Sequence, residues 1–458
     1  MQRAGQAAWR CLLEHWPQAH RILVLCGPGN NGGDGWVLAR HAQESGVAVT
    51  VMTVAGLGPR TPLAQEMAAS YADAGGCTEA FVDALPACDV IVDALLGIGG
   101  ERAPEGDLAR LIDAANAAGM PILALDVPSG VDAGSGAVPG IAIRATRTLQ
   151  FIAPHAGLVT GAACNHVGAR QLATLDVPAT CFEGIAPKAE LQPRPKLPRR
   201  PRDSHKGRYG HVLAIGGEHG TGGAIALTAE AALRSGCGLL SVATRATHVP
   251  MLLARRPEAM VHAAEGADAL VPLLERADAL ALGPGIGRGR WTRELVDASL
   301  AGGKPCVIDA DALHLLAEAP RALPAAVLTP HPGEAARLLG CDIANVQRDR
   351  YQAAARIADR HGCAVVLKGA GTVVAAPGHT SRVIDIGNPG MASGGMGDAL
   401  TGVIATLLAQ GMAPFDAAAS GAWLHARAGD RAAVAGEAGL LASDLIAELR
   451  ATLAECLS

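Results

Sequence analysis

The stretch Met391-Ala-Ser-Gly-Gly-Met-Gly-Asp398, continuing as Ala-Leu-Thr-Gly-Val-Ile-Ala-Thr-Leu-Leu408, decides how the second half of this chain is read. Glycines precede an uncharged apolar run, so the turn sits at the start of a buried helix. The first amides of a helix have no partner within it, and its dipole adds about half a unit of positive charge there. Such a turn is a ready site for phosphate, and glycine lets the backbone approach the anion closely. A carboxylate facing a phosphate is repelled by it. Asp398 therefore reads as a base beside the transferred group. The alternative is a glycine turn in which Asp398 is only the helix N-cap.

Composition narrows the field around that motif. The 458 residues are enough for two or three domains, half of them are hydrophobic and only 3% are aromatic. Abundant Ala and Gly suit tightly packed α/β layers. A net charge of -5 carries no basic surplus for nucleic acid. The 11 cysteines are odd in number, scattered and without a C-x-x-C pair, which fits a reducing cytoplasm better than a disulfide framework or a structural zinc site. The opening Met-Gln-Arg-Ala-Gly-Gln-Ala-Ala-Trp9 does not read as a signal peptide, and no uncharged run is long enough to span a membrane.

Upstream, the chain divides into residues 1–182 and 205–458, with a linker at 183–204. Pro187-Lys-Ala-Glu-Leu-Gln-Pro-Arg-Pro-Lys-Leu-Pro-Arg-Arg-Pro201 has neither helical nor strand period and reads as an extended, solvated tether. Apolar runs at Arg21–Cys26, Val47–Val54, Asp89–Asp93, Ile122–Val127 and Thr146–Ile152 read as buried parallel strands alternating with helices such as Leu63–Ala74 and Gly106–Ala118. This pattern predicts a Rossmann-like three-layer α/β domain with its site at the carboxyl ends of the strands. The second half repeats the style at His211–Gly217, Leu239–Thr244, Ala279–Gly283, Cys306–Asp309, Ala326–Thr329, Ala364–Lys368 and Thr372–Ala376. It predicts another three-layer α/β domain, joined by fusion and not by duplication.

Three strand ends carry the chemistry of the first half. Gly27-Pro-Gly-Asn-Asn-Gly-Gly-Asp-Gly35 is neither G-x-G-x-x-G nor a P-loop. Asn30 and Asn31 add amide groups to a glycine-rich anion cradle with Gly32 and Gly33, and Asp34 is placed to meet a sugar hydroxyl. A tight strand-to-helix turn is the plainer reading. The other two ends are Asp93-Ala-Leu-Leu-Gly-Ile-Gly-Gly-Glu-Arg102 and Asp126-Val-Pro-Ser-Gly-Val-Asp132. Asn31, Asp93 and Ser129 are hard oxygen ligands for an alkali or alkaline-earth cation. Asp126 stands where an acid/base would stand, and either aspartate could instead cap a helix or a turn.

Those three segments, in that order and spacing, resemble the NAD(P)H-hydrate epimerase domain. The resemblance implies that Asn30, Asn31, Gly32, Gly33 and Asp34, with Gly97 through Ala103 (Gly97, Ile98, Gly99, Gly100, Glu101, Arg102, Ala103), hold the hydrated nucleotide. It also implies potassium among Asn31, Asp93 and Ser129, with Asp126 at the substrate ring. Two departures stand out. Family members have a segment before the position of Met1, and here the chain is expected to open inside the helix it leads into, at Arg3-Ala-Gly5. In Pro154-His-Ala-Gly157, His155 stands where the family has lysine; histidine, unlike lysine, exchanges its proton near neutral pH.

In the second half, His205-Lys-Gly-Arg-Tyr-Gly210, Gly216-Gly-Glu-His-Gly-Thr-Gly-Gly-Ala224, Gly283-Pro-Gly-Ile-Gly287, Asp309-Ala-Asp-Ala-Leu313, Thr329-Pro-His-Pro-Gly-Glu334, Lys368-Gly-Ala-Gly-Thr372, Asn388-Pro-Gly-Met391 and the opening motif follow one another. Singly, the glycine segments are loops, His331 is a rigid turn and Lys368 ends a strand. Together they resemble the ribokinase-like fold, and within it the ADP-dependent NAD(P)H-hydrate dehydratase domain, over nearly all of residues 203–445. The resemblance implies that Lys368, Gly369, Ala370, Gly371, Thr372 and Gly397 hold the adenine nucleotide, with magnesium. It implies that Ala224, Gly287, His331 and Asp398 line the nicotinamide hydrate site, with Asp398 the catalytic base. The expected activity is bifunctional repair of hydrated NADH and NADPH: epimerisation of R and S hydrates, then ADP-dependent dehydration of the S epimer with release of AMP and phosphate. The expected partners are these small molecules, in the cytoplasm, with no nucleic acid and no membrane; homo-oligomers are common among such enzymes. The competing readings are a ribokinase-like kinase of a small alcohol and a non-catalytic nucleotide-binding first half.

Overall fold

The computed structural model describes residues 1–99 and 102–458. The chain forms two compact units, Met1–Ala186 and Pro187–Ser458.

In the first unit, seven parallel strands are β1 (Arg21–Cys26), β2 (Ala48–Val54), β3 (Thr78–Phe81), β4 (Val90–Ala94), β5 (Ile122–Leu125), β6 (Arg147–Phe151) and β7 (Ala169–Ala173). Their spatial order is β3-β2-β1-β4-β5-β6-β7. Strand β1 shows why both faces are covered. Ile22 and Val24 join a core with the helices Gln2–His15, Asn30–Glu44 and Pro62–Asp73. Leu23 and Leu25 point the other way, into a core with Leu111 and Ile112 of the helix Gly106–Ala117. Strand order reverses between β1 and β4, so a crevice opens beyond their carboxyl ends. The strands β3 and β7 carry no unbroken apolar run because each lies at a sheet edge, half solvated.

The second unit holds β8 (Ala189–Leu191), β9 (His211–Ile215), β10 (Leu239–Thr244), β11 (Met260–Ala263), β12 (Ala279–Leu282), β13 (Cys306–Ile308), β14 (Ala326–Leu328), β15 (Ala364–Leu367), β16 (Thr372–Ala375) and β17 (Ser381–Ile384). They form one sheet in the order β11-β10-β9-β12-β13-β14-β15-β16-β17-β8. The sheet is parallel except where β16 runs antiparallel between β15 and β17. The helix Met396–Ala409 is apolar on every side because it is buried, as its sequence predicts. Gly402 admits its neighbour: a Cβ there would stand 2.3 Å from the Thr228 carbonyl oxygen.

The stretch expected to be a free tether is not one. Ala189–Leu191 adds a parallel strand to the exposed edge of β17, and the Gln192 amide donates to the Val383 carbonyl at 2.9 Å. Leu197 is buried in the main core and bridges to Leu457. The guanidinium of Arg200 lies 3.8 Å from the Tyr209 ring centroid. An unpaired sheet edge offers hydrogen bonds that a proline-rich strand can accept on one side, and this explains why a segment without period is nonetheless structured. Among the described residues, no helix is long and apolar enough to cross a membrane.

Candidate active sites

In the first unit the strand end Gly27-Pro-Gly29 leads directly into a helix. Asn30 through Asp34 are its first turns and not a loop, with extended Gly29 as N-cap and no side chain closing the end. Two glycines are fixed by space alone: a Cβ on Gly27 would lie 1.7 Å from the Leu95 carbonyl oxygen, and one on Gly32 would lie 2.0 Å from that of Gly27. Asp93, next to last in β4, is wholly buried. It accepts bonds from the Ser129 amide (2.8 Å), the Ser129 hydroxyl (2.6 Å) and the Leu95 amide (3.2 Å). Burial still pushes its carboxyl up to about 6. The Leu96 peptide draws the rest together: its carbonyl accepts from Asn31 Nδ2 at 2.8 Å and its amide donates to Ser129 Oγ at 2.8 Å. Asn31, Asp93 and Ser129 thus form one buried group, and Asn31 Oδ1 within it has no hydrogen-bond partner.

Asp126 follows β5 with φ 64, a strained value for any residue with a β-carbon. It does not cap a helix. Its Oδ1 accepts from His155 Nε2 at 2.8 Å, and the His155 backbone is itself held by Gln150 Oε1 at 2.8 Å. A Cβ on Gly97 would stand 3.2 Å from Asn31 Cβ and 3.4 Å from Asp126 Oδ2, so Gly97 is the floor between them. Burial pushes Asp34 up to about 7; the Met1 amino group opposes this and the Asp126 charge adds to it. Ile98 and Arg102 are exposed, and Ala103 packs beside Gly140. Gly100 and Glu101 lie outside the described residues.

In the second unit the strands β9, β12, β13, β14 and β15 deliver their carboxyl ends side by side. Lys368 follows β15. Its Nζ donates to Asp309 Oδ1 at 2.7 Å and lies 3.8 Å from Glu334 Oε2. Asp309 follows β13, is wholly buried, and accepts at Oδ2 from Thr401 Oγ1 at 2.9 Å. A Cβ on Gly397 would stand 3.2 Å from Lys368 Nζ and 3.5 Å from Asp309 Oδ2. The glycine therefore brings the open helix start of Met396–Ala409 against the ammonium. Asp398 is the third residue of that helix. The N-cap is Gly395 in the left-handed region (φ 87), so the capping alternative for Asp398 fails. His425 Nε2 donates to the Met396 carbonyl at 2.9 Å and steadies this turn.

The charges decide the protonation states. Burial works against the Lys368 ammonium, but the Asp309 and Glu334 carboxylates outweigh it and hold its pKa above the ordinary lysine value. Burial likewise pushes Asp309 up, yet Lys368 and the hydroxyl bonds win and keep it ionised. Asp398 has no such bond: burial and the Asp309 charge push it up to about 6 against the pull of Lys368. Burial raises Glu334 to about 7. His331 is the N-cap of the helix Pro332–Leu339, its Nδ1 accepting from the Gly333 amide (2.9 Å) while Glu334 Oε2 accepts from the His331 amide (2.7 Å). Its outer edge stays exposed, and burial of the remainder, with Lys368 nearby, lowers its pKa. Ala224 lies in the first turn of the helix Gly222–Arg234, where Gly285 packs on it, and Gly287 has φ 72 beside Glu218.

Gly369, Ala370 and Gly371 form the turn from β15 to β16, with Thr372 opening β16 and its hydroxyl donating to the Gly369 carbonyl at 3.0 Å. Buried Arg350 holds the turn from behind, its Nη2 donating to the Leu367 and Lys368 carbonyls at 3.1 Å each. Sequence reasoning quoted Asp309 and Glu334 inside motifs but gave them no role. The carboxylates beside Lys368 emerge only when β13, β14 and β15 are set next to one another.

Comparison with known proteins shows the family. Residues 212–451 match the family described as NAD(P)H-hydrate dehydratase, and residues 1–157 match the one described as YjeF-related protein N-terminus. The bifunctional NAD(P)H-hydrate repair enzyme Nnr of Coxiella burnetii is 46% identical over 98% of this chain and 93% of its own length. The chain belongs to the bifunctional NAD(P)H-hydrate repair enzymes. The Escherichia coli enzyme of the same name is 45% identical over 98% of the chain and 88% of its own length. Among solved structures, the ADP/ATP-dependent NAD(P)H-hydrate dehydratase of Bacillus subtilis, co-crystallised with ATP and Mg2+, aligns with TM-score 0.52 and 31% identity over 57% of this chain and 95% of that one. A ribokinase-like superfamily protein of Enterococcus faecalis aligns with TM-score 0.52 and 32% identity over 57% of the chain and 92% of its own length. The ribokinase-like expectation for the second half therefore holds.

Proposed function

We propose that this chain repairs hydrated NADH and NADPH in two steps: Met1–Ala186 interconverts the R and S hydrates, and Pro187–Ser458 dehydrates the S form using ADP. The observation that carries the second step is Asp398, a carboxyl raised to about 6, one residue from Gly397 where the open helix end meets the Lys368 ammonium. A hydrate bears hydroxyl on a saturated carbon beside the ring nitrogen, and hydroxide leaves poorly. Asp398 accepts the hydroxyl proton while the oxygen attacks the terminal phosphorus of ADP, and AMP departs. The ring nitrogen then expels phosphate, and loss of a proton from the next carbon restores NADH. Lys368, the Gly397 amide and the Gly369–Gly371 turn offset the phosphate charge. Magnesium enters with the nucleotide as its counter-ion.

In the first unit Asp126, oriented by His155, is the acid/base at the substrate ring, and the open helix start at Asn30 meets the pyrophosphate. The buried oxygens of Asn31, Asp93 and Ser129, one without a partner, suit potassium. When bound it would supply a fixed positive charge beside the nucleotide. The cysteines are odd in number, scattered and without a C-x-x-C pair, which supports a cytoplasmic setting.

The test is recovery of reduced-nicotinamide absorbance from an epimeric mixture of hydrated NADH with ADP, magnesium and potassium. Complete recovery is expected. Recovery that halts once the S epimer is spent removes the epimerase assignment. Stable phosphorylation of a small alcohol with hydrated NADH ignored removes the whole reading.

A further inference from the structure

Lys368 and the Asp398 helix come from distant parts of the chain, and one buried carboxylate ties them together. Asp309 binds Lys368 Nζ with one oxygen (2.7 Å) and Thr401 Oγ1 with the other (2.9 Å). Thr401 lies three residues beyond Asp398, so it stands nearly beneath it on the same helix. The backbone around Asp309 is locked at some expense. Ala310 has φ 51 and ψ -129, a region that a β-carbon disfavours. A Cβ on Gly283, which follows the neighbouring strand β12, would stand 2.0 Å from the Asp309 carbonyl oxygen. Strain of this kind persists only where the surroundings over-determine it, and it collects at working sites.

We propose that Asp309 is a positioning residue for the dehydration step: it fixes the Lys368 ammonium beneath the phosphate-facing glycine turn and, through Thr401, fixes the helix that aims Asp398. The inference rests on the dehydratase reading above and adds a group that never touches substrate. A carboxylate is needed there because an untethered ammonium would turn to Asp398 and pair with the base. The groups facing Asp398 are Asp309 and Lys368; Glu334 also acts on Lys368, and the Lys368 charge in turn lowers His331 and His425. The Asp309 charge helps burial hold Asp398 at about 6. Loss of that charge, with Lys368 released, moves Asp398 toward an ordinary carboxylate.

The experiment measures kcat and KM for ADP from about pH 5 to about pH 9, using the full chain and the S hydrate, for wild type, Asp309→Asn and Thr401→Val. The wild-type kcat should fall on the acid side at about pH 6. In Asp309→Asn the plateau should drop at least about tenfold, KM for ADP should rise, and the acid limb should shift to lower pH. Thr401→Val removes one bond and no charge: kcat should fall about fivefold, with the acid limb and KM unchanged. An acid limb left at the wild-type pH in a folded Asp309→Asn protein overturns the proposal. So does wild-type kcat in Thr401→Val, whatever the fate of the first variant. A wild-type enzyme without ADP-dependent activity would instead defeat the functional reading.

Discussion

Replacing Asp398 by Asn should make the second unit more stable and nearly inactive at once. The carboxyl moves from an ordinary 3.8 to about 6 on folding. That difference of about two units corresponds to roughly 3 kcal/mol against the folded state whenever the group is ionised in both states. The sign follows from proton binding. A carboxyl raised by folding destabilises fully above its folded value, and the penalty disappears as pH falls through about 6 toward 3.8. Asn carries no charge to bury, so near neutral pH the variant should unfold at a higher temperature. Partial solvent contact trims the gain below about 3 kcal/mol, or several degrees in a unit of this size. Kinetically, loss of a positioned base costs about two to four orders of magnitude in kcat. The assays are ADP-dependent absorbance recovery and thermal unfolding at neutral and at acidic pH. A variant that melts lower than wild type at neutral pH, or whose advantage persists unchanged on acidification, refutes the electrostatic argument. Activity within about tenfold of wild type refutes the role of Asp398 as base.

Asp126→Asn should abolish interconversion of the hydrates while the S form is still dehydrated; Asn tolerates the left-handed backbone at this position (φ 64), so an unchanged epimerase rate would remove the acid/base assignment. Ser129→Ala deletes one oxygen of the proposed cation site but leaves Asp93 the Ser129 and Leu95 amides. It should raise the potassium needed for half-maximal epimerisation at least about tenfold, and an unaltered potassium titration would argue against the site. Leu197→Ala should destabilise the second unit by about 2–5 kcal/mol, because Leu197 is 7% exposed within the main core. A free tether at that position would give no change in calorimetric melting.

The sequence is most legible where burial and backbone geometry coincide. Strand β1 spans Arg21–Cys26, as its unbroken apolar run requires. The helix after Gly395 begins where glycines give way to apolar residues. Edge strands are the opposite case. Ala169-Arg-Gln-Leu-Ala173 is a strand because β6 offers it a ladder, not because its residues demand one. The same holds for Ala189–Leu191 on β17, within a stretch whose prolines read as linker. At the sites, residues were visible but their partners were not. Asp309 and Lys368 are 59 positions apart, and only the parallel order β13-β14-β15 brings them together. His155 is visible in the sequence as the residue in place of the family's lysine, yet its bond to Asp126 depends on β5 and β6 lying side by side.

The two units apply one structural rule to different charges. Each places acidic groups just after parallel strands, on backbone strained at Asp126 (φ 64) or beside Asp309 at Ala310 (φ 51). Each uses a glycine where a neighbouring carbonyl leaves no room for a β-carbon, Gly27 against Leu95 and Gly283 against Asp309. Each sets an uncapped helix start opposite the carboxylate, at Asn30 or at Met396. The difference lies in what neutralises the ligand. A helix start supplies about half a unit charge, which would suit the proposed binding of a pyrophosphate that is never transferred. Moving a phosphoryl group concentrates negative charge on the oxygens in flight, and the second unit answers with a buried lysine. A buried lysine keeps its proton only beside carboxylates. Of these, Asp309 in turn raises the proton affinity of Asp398. The proposed base, the cation and its counter-ion are therefore one electrostatic unit, and changing any of the three should move the pH dependence of the others.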